Sequence, residues 1–278
     1  VLGDEQIDAW EVLEHLGALV DKSLVIAELS EPPRYRLLES ARAYALEKLR
    51  DAGETDATRE RHAQAVLAIF EAGHQQQWAV PRRVLVEAHL PDPDNLRAAL
   101  EWGAVTTAAL HVALAGASAW MWNGTGQRVE ALRICERAME RIDESTPAAL
   151  EARLLSEWCV LPSSPPVPAE RAAAARAVAL FLDLGDRRSA YIALERLHIN
   201  AQRCGDLALC ARVALEMASL HDPVWPPASR WHLSMARAIG LSMSNRTEAA
   251  RVAFEECLQL ARTARESRHV YVSLQELI

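Results

Sequence analysis

The stretch Ala250-Arg251-Val252-Ala253-Phe254-Glu255-Glu256-Cys257 decides the fold. Ala250, Phe254 and Cys257 stand at i, i+4 and i+7, which is one face of a helix. The pattern recurs upstream as Ala131/Cys135/Ala138, Ala174/Val178/Phe181 and Cys210/Ala214/Met217. Every member is apolar and most are small, and small side chains let neighbouring helices approach closely. A single helical hairpin cannot bury such a face, whereas hairpins stacked one on the next can.

Turn signals support that stacking. They fall at Asn123–Gly126, Pro162–Pro168, Cys204–Asp206 and Ser244-Asn245, about 40 residues apart. A second series lies midway, at Ser145–Pro147, Gly185-Asp186, Asp222–Pro227 and near Glu266. Two interleaved series at one period predict helix A, turn, helix B, turn, repeated about four times over residues 105–278. The expected architecture is mainly α, a solenoid of helical hairpins with a concave surface.

Residues 1–55 follow a different pattern. Trp10, Leu13, Leu16, Leu19 and Val20 make an apolar helix face, and Ser23–Leu29 reads as a strand. Glu31-Pro32-Pro33 predicts a turn, because proline fixes φ and removes a ladder donor. Tyr35–Leu38 returns as a second strand. A second amphipathic helix is expected over Glu39–Leu49, with Ala41, Tyr44, Ala45 and Leu49 inward and Gly53 as its stop. Helix, β-hairpin, helix is the back half of a winged helix. Residues 56–104 read as a helical connector. It holds one helix over Arg59–Gly73, breaks at Pro81 and Leu90–Asn95, and a further helix capped by Asp94 or Asn95 that carries Leu96, Ala99, Leu100 and Trp102.

Composition narrows the function. A net charge of −8 and a pI near 5.6 oppose a nucleic-acid footprint along the chain. The segment before the wing carries Glu11, Glu14 and Asp21 against Lys22, so direct DNA binding by this chain is not expected. Cys135, Cys159, Cys204, Cys210 and Cys257 are odd in number and widely spaced, as small buried hydrophobes in a reducing, cytoplasmic setting would be. No apolar run is long enough to cross a bilayer. The chain opens without Met and stops inside a helical pattern, Val270–Ile278, so further domains are expected beyond both ends.

Two resemblances add to this. The small–bulky–small register of the B helices, kept best at Ala250, Phe254 and Cys257, resembles the tetratricopeptide repeat. The opening Trp and Gly-Tyr pair of that repeat's helix A are not kept, and the period exceeds its usual 34 residues. The second resemblance is carried by three stretches: Leu16-x-x-Leu19-Val20-Asp21-Lys22-Ser23-Leu24-Val25, then Arg34-Tyr35-Arg36-Leu37-Leu38-Glu39-Ser40-x-Arg42-x-Tyr44-Ala45-x-Glu47-Lys48-Leu49, then Gly53-Glu54 with Arg61-His62. This is similar to the winged-helix segment of bacterial STAND-type regulatory ATPases, the AfsR-like transcriptional regulators. Asp94-Asn95-Leu96-Arg97-Ala98-Ala99-Leu100-x-Trp102 resembles the stretch leading into their repeats. The resemblance implies an upstream nucleotide-binding domain holding ATP or ADP, and often a DNA-binding effector domain. In related switches a Met-His-Asp motif after the wing lets His contact ADP. The matching positions here are Leu37-Leu38-Glu39, and Leu38 has no hydrogen bond to donate, so it reads as a packed wing residue.

No catalytic anchor stands out. The sequence holds no Gly-x-x-x-x-Gly-Lys-Ser/Thr loop, no Gly-x-Ser-x-Gly and no His-Glu-x-x-His. No catalytic, cofactor or metal residue is therefore assigned. The candidate groove or partner-binding residues are Trp122, Trp158 and Trp231, since Trp anchors interfaces, with Asn200, Arg203 and Arg237 from A helices. The expected function is the non-catalytic sensor portion of a nucleotide-switch transcriptional regulator. Its repeats would bind a protein or peptide partner or a small-molecule inducer. Its winged helix would relay that event by intramolecular contact to the ATPase domain. The alternative is a tetratricopeptide-like interaction scaffold with no switching role.

Overall fold

The computed structural model describes residues 8–28, 33–77, 79–90, 92–161 and 168–277. The chain divides into two compact units, residues 1–66 and 67–278.

The first unit opens with α1 (Ala9–Asp21), which is held at its start by a capping box. The Asp8 carboxylate accepts from the backbone N–H groups of Trp10 at 2.7 Å and Glu11 at 2.9 Å. Glu11 accepts from the Asp8 N–H at 3.1 Å, so two orphan donors of the first turn are satisfied reciprocally. β1 (Val25–Glu28) pairs antiparallel with β2 (Arg34–Leu37), Val25 opposite Leu37. The first strand begins two residues later than expected and the second is displaced by one residue; Leu29, Glu31 and Pro32 of the predicted strand and turn lie outside the described residues. α2 (Glu39–Asp51) follows and stops before Gly53, whose φ of +70° is the left-handed conformation expected of a helix stop.

Two expectations for this unit need correction. Trp10 and Leu13 of the α1 face are 80% and 52% exposed, and Tyr44, expected inward, is 62% exposed. Leu38 is not packed into the wing: it sits at the start of α2, largely open to solvent. The apolar stripes are present and partly covered: Leu16 and Val20 of α1 and Ala41, Ala45 and Leu49 of α2 are half-buried, and Val25 is the buried hydrophobic residue of the hairpin.

α3 (Thr55–Gln76) runs on past Gly73, where a stop was expected. A Cβ at Gly73 would lie 2.8 Å from Trp120 Cζ2, so this glycine serves close packing, not helix termination. In the second unit α4 (Arg82–His89) and α5 (Pro93–Val105) come next. The start of α5 corrects the predicted cap. Pro93, which has no N–H to leave unpaired, takes the first helical position behind Asp92, and Asp94 instead pairs with Arg97 at 2.9 Å.

The hairpins are α6 (Ala108–Gly124) with α7 (Arg128–Met139), α8 (Ala148–Trp158) with α9 (Pro168–Asp183), α10 (Arg187–Arg203) with α11 (Leu207–Leu220), and α12 (Pro227–Met243) with α13 (Thr247–Ala264). α14 (Ser267–Gln275) begins a further A position. Each helix packs on its hairpin partner and on the next hairpin, and the A helices α6, α8, α10 and α12 also touch in succession. Contacts of that kind make an open, layered stack. Eleven of the twelve residues of the B-helix register are buried and Ala214 is half-buried. The turns fall where predicted, except that Pro162–Val167 lie outside the described residues. Asp186 and Asp206 cap α10 and α11, each accepting a backbone N–H at 3.0 Å.

Candidate functional site

The A helices share a second register. Counting i, i+3, i+4, i+7, α8 with the residues just past its end presents Arg153, Ser156, Glu157 and Val160. α10 presents Ile192, Glu195, Arg196 and Ile199, α12 presents Ala228, Trp231, His232 and Met235, and α14 presents Arg268, His269 and Val272. That spacing is one helix face. Stacking brings the four faces side by side. With His74 and Gln77 from the end of α3 and Arg82 from the start of α4, they wall a cavity of about 290 Å³.

Its polar groups are mostly tied to each other. Glu195 is paired with Arg196 and accepts from His232 Nδ1 at 3.1 Å. Burial opposes ionisation of Glu195, but Arg196 and His232 together outweigh it and hold the carboxyl well below the usual carboxylate range. Glu157 lies 3.4 Å from His74 Nε2. Burial again raises its pKa, and His74, Arg196 and Arg82 more than reverse the effect. Arg153 reaches Glu71 at 3.2 Å and the Ala113 carbonyl at 3.3 Å.

Trp231 and His269 form the aromatic part of the wall. Their rings stack at 3.8 Å and 3°, with His232 edge-on to both. Trp231 Nε1 donates to Ser273 Oγ at 2.9 Å, and Ser273 donates on to the His269 carbonyl at 2.8 Å, which ties the Trp231 ring to α14. Burial, followed by the neighbouring His232, pushes the His269 pKa down to about 2. It is therefore a neutral ring at ordinary pH.

Among the candidate groove residues, Trp231 lines this cavity and the others lie elsewhere. Trp122 is fully buried in α6, its ring 5.0 Å from the Arg97 guanidinium. Trp158 is buried at the end of α8. Asn200 and Arg203 turn toward α9, donating to Glu170 at 3.4 and 3.1 Å, and Arg171 closes that knot by donating to Asn200 at 3.2 Å. Arg237 is exposed on α12. Sequence reasoning missed Glu195, Arg196, His232, Arg268 and His269. The signal was available: polar or aromatic pairs recur at 156/157, 195/196, 231/232 and 268/269, close to the repeat period. Among the described residues no group of three His, Cys, Asp or Glu is placed to hold a metal ion. No helix among them is long and apolar enough to cross a membrane.

A concave, half-apolar cavity with fixed polar groups is the form of a ligand site, and known proteins place this chain in a regulatory context. The whole chain is similar to mycobacterial regulators. It is 32% identical over 300 aligned positions, covering 100% of this chain and 33% of the relative, to a protein of Mycobacterium tuberculosis (strain H37Rv) named as a candidate HTH-type transcriptional regulator. A Mycobacterium bovis protein of the same description matches equally. An uncharacterized M. tuberculosis protein is 43% identical over 60 residues, 21% of this chain and 15% of that protein. The chain spans about a third of the length of the curated regulators it matches. No protein-family profile matches it.

Proposed function

We propose that this chain is the non-catalytic sensing segment of a transcriptional regulator. The hairpin repeats receive an effector or partner in the A-helix cavity. The winged-helix unit relays occupancy to an ATPase domain elsewhere in the full protein, where ATP or ADP binds. The observation that carries this is the shared A-helix register: four successive repeats contribute the same face to one cavity, so an occupant bridges the repeats and changes how they stack. The exposed Trp10, Leu13 and Tyr44 support the relay, since apolar groups of that size suit a covering domain. The regulator names of the whole-length relatives support the transcriptional role.

The test is transcript profiling of three strains: wild type, a deletion of the gene, and an allele carrying Arg268→Met in the cavity wall. Genes that respond to the deletion are expected to respond to the allele as well. Wild-type transcript levels under the allele, in conditions where the deletion differs, would contradict the proposal. Titration of ATP or ADP into the chain alone is expected to show no tight binding.

A further inference from the structure

Four guanidinium groups and four carboxylates, those of Glu157, Glu195, Glu266 and Glu276, line the cavity, and two of the guanidinium groups stand in ion pairs. Arg153 pairs with Glu71 and Arg196 with Glu195. Arg82 and Arg268 take part in no ion pair among the described residues. Three of the carboxylates have other nearest partners. Glu157 faces His74, Glu195 is held between Arg196 and His232, and Glu266 accepts the backbone N–H of Arg82 at 3.3 Å. Nη1 of Arg82 is enclosed and makes no hydrogen bond. Burial, then Arg268 and Arg196, lowers the Arg82 pKa, and burial, then Arg196, lowers that of Arg268, in each case against the opposing pull of nearby carboxylates. Glu157, Glu195 and Glu266 act on these two groups at longer range, but among the described residues no carboxylate oxygen forms an ion pair with either, and Arg82 Nη1 is left with an open donor in the cavity wall. The planar guanidinium fork matches a carboxylate or phosphate edge.

Ile199, Met235, Ile239 and Val272 form an apolar stretch of the wall, beside polar residues such as Gln77, Ser189, His198 and Gln202. A volume of about 290 Å³ suits a small molecule. We propose that the cavity binds a small organic anion, a terminal oxyanion on a short apolar body, with the oxyanion between Arg82 and Arg268 and the body along Met235 and Ile239. This deepens the sensing role and rests on it only in taking the occupant to be the effector.

The test is isothermal titration of the 278-residue chain with octanoate and with phenyl phosphate, using octylamine as a body of similar length and opposite charge. At least one anion is expected to bind at one saturable site and octylamine is not. Arg268→Met and Arg82→Met, each checked for wild-type folding by circular dichroism, are each expected to weaken the anion at least tenfold. Preference for octanoate marks a carboxylate occupant, and preference for phenyl phosphate marks a phosphate ester. No saturable binding of either anion, equal binding of octylamine, or unchanged affinity in both variants would overturn the proposal. Anion binding together with wild-type transcription in the Arg268→Met strain leaves the site standing and removes the sensing role.

Discussion

Replacing Phe254 by Ala tests the stacking logic where it is most concentrated. Phe254 is 3% exposed and lies in a cluster with Trp231, Met235, Ile239, Ala250 and Cys257. Deleting a buried Phe ring costs about 3–5 kcal/mol, depending on how far the neighbours collapse into the space. Collapse is restricted here, because Trp231 is fixed by its bond to Ser273 and its stack on His269. The expected loss is therefore in the middle or upper part of that range, about 4 kcal/mol. In a stack whose hairpins contact only their neighbours, the loss stays local. Native-state hydrogen exchange read by mass spectrometry resolves this. Amides of α12, α13 and α14 are expected to exchange about a thousandfold faster, since 1.4 kcal/mol is a factor of ten, while those of α5 to α7 keep wild-type rates. Equal acceleration across α5 to α14 would show one cooperative bundle and refute the reasoning. An effect below about tenfold would show that Phe254 is not part of a packed core.

Three further outcomes follow from particular residues. His111 is 3% exposed, and burial, then Arg141 and Arg137, lower its pKa from 6.5 to about 4. The unfolded chain thus binds a proton that the folded chain refuses, and stability, full above about pH 6.5, falls as the pH drops toward 4; at about pH 5 the loss is roughly 2 kcal/mol. Urea titrations at about pH 7.5 and 5 should show wild type losing that much more than His111→Gln, and coincident pH profiles would contradict it. Gly73→Ala should gain about 1 kcal/mol from helix propensity, yet the new Cβ meets the buried Trp120 ring. Overpacking costs about 1–3 kcal/mol, so a net fall in the urea midpoint is expected and a rise would show that the ring gives way. Arg268→Met, which removes a cation repelled by Arg196, should not lower the thermal midpoint; a clear drop would make Arg268 a structural residue.

The repeat unit was legible because its burial is periodic. A face of small residues at i, i+4, i+7 has one physical use, and the structure buries it in all four B helices. The hairpin of the first unit was legible for a similar reason, alternation flanked by turn residues. The exposure of Trp10 and Tyr44 was not, because an apolar stripe shows that a helix face can be covered without showing that it is. The α5 cap was placed two or three residues late, at Asp94 or Asn95 instead of Asp92, because Pro93 takes the first turn and needs no N–H partner. Tryptophan was a poor guide to the cavity. Trp122 is buried for its bulk, whereas Trp231 owes its place to one hydrogen bond with Ser273, a residue 42 positions away. The ionic wall escaped notice because Glu195, Arg196 and His232 resemble solvated surface residues until neighbouring repeats enclose them.

If the A helices of successive repeats jointly wall a sensing site, an occupant must change their exchange behaviour together. Hydrogen exchange of the 278-residue chain with and without saturating octanoate or phenyl phosphate tests it most directly. Slower exchange concentrated in α4, α10, α12 and α14 is the expected result. Unchanged exchange, or protection confined to α1 and α2 or to the B helices, would contradict it.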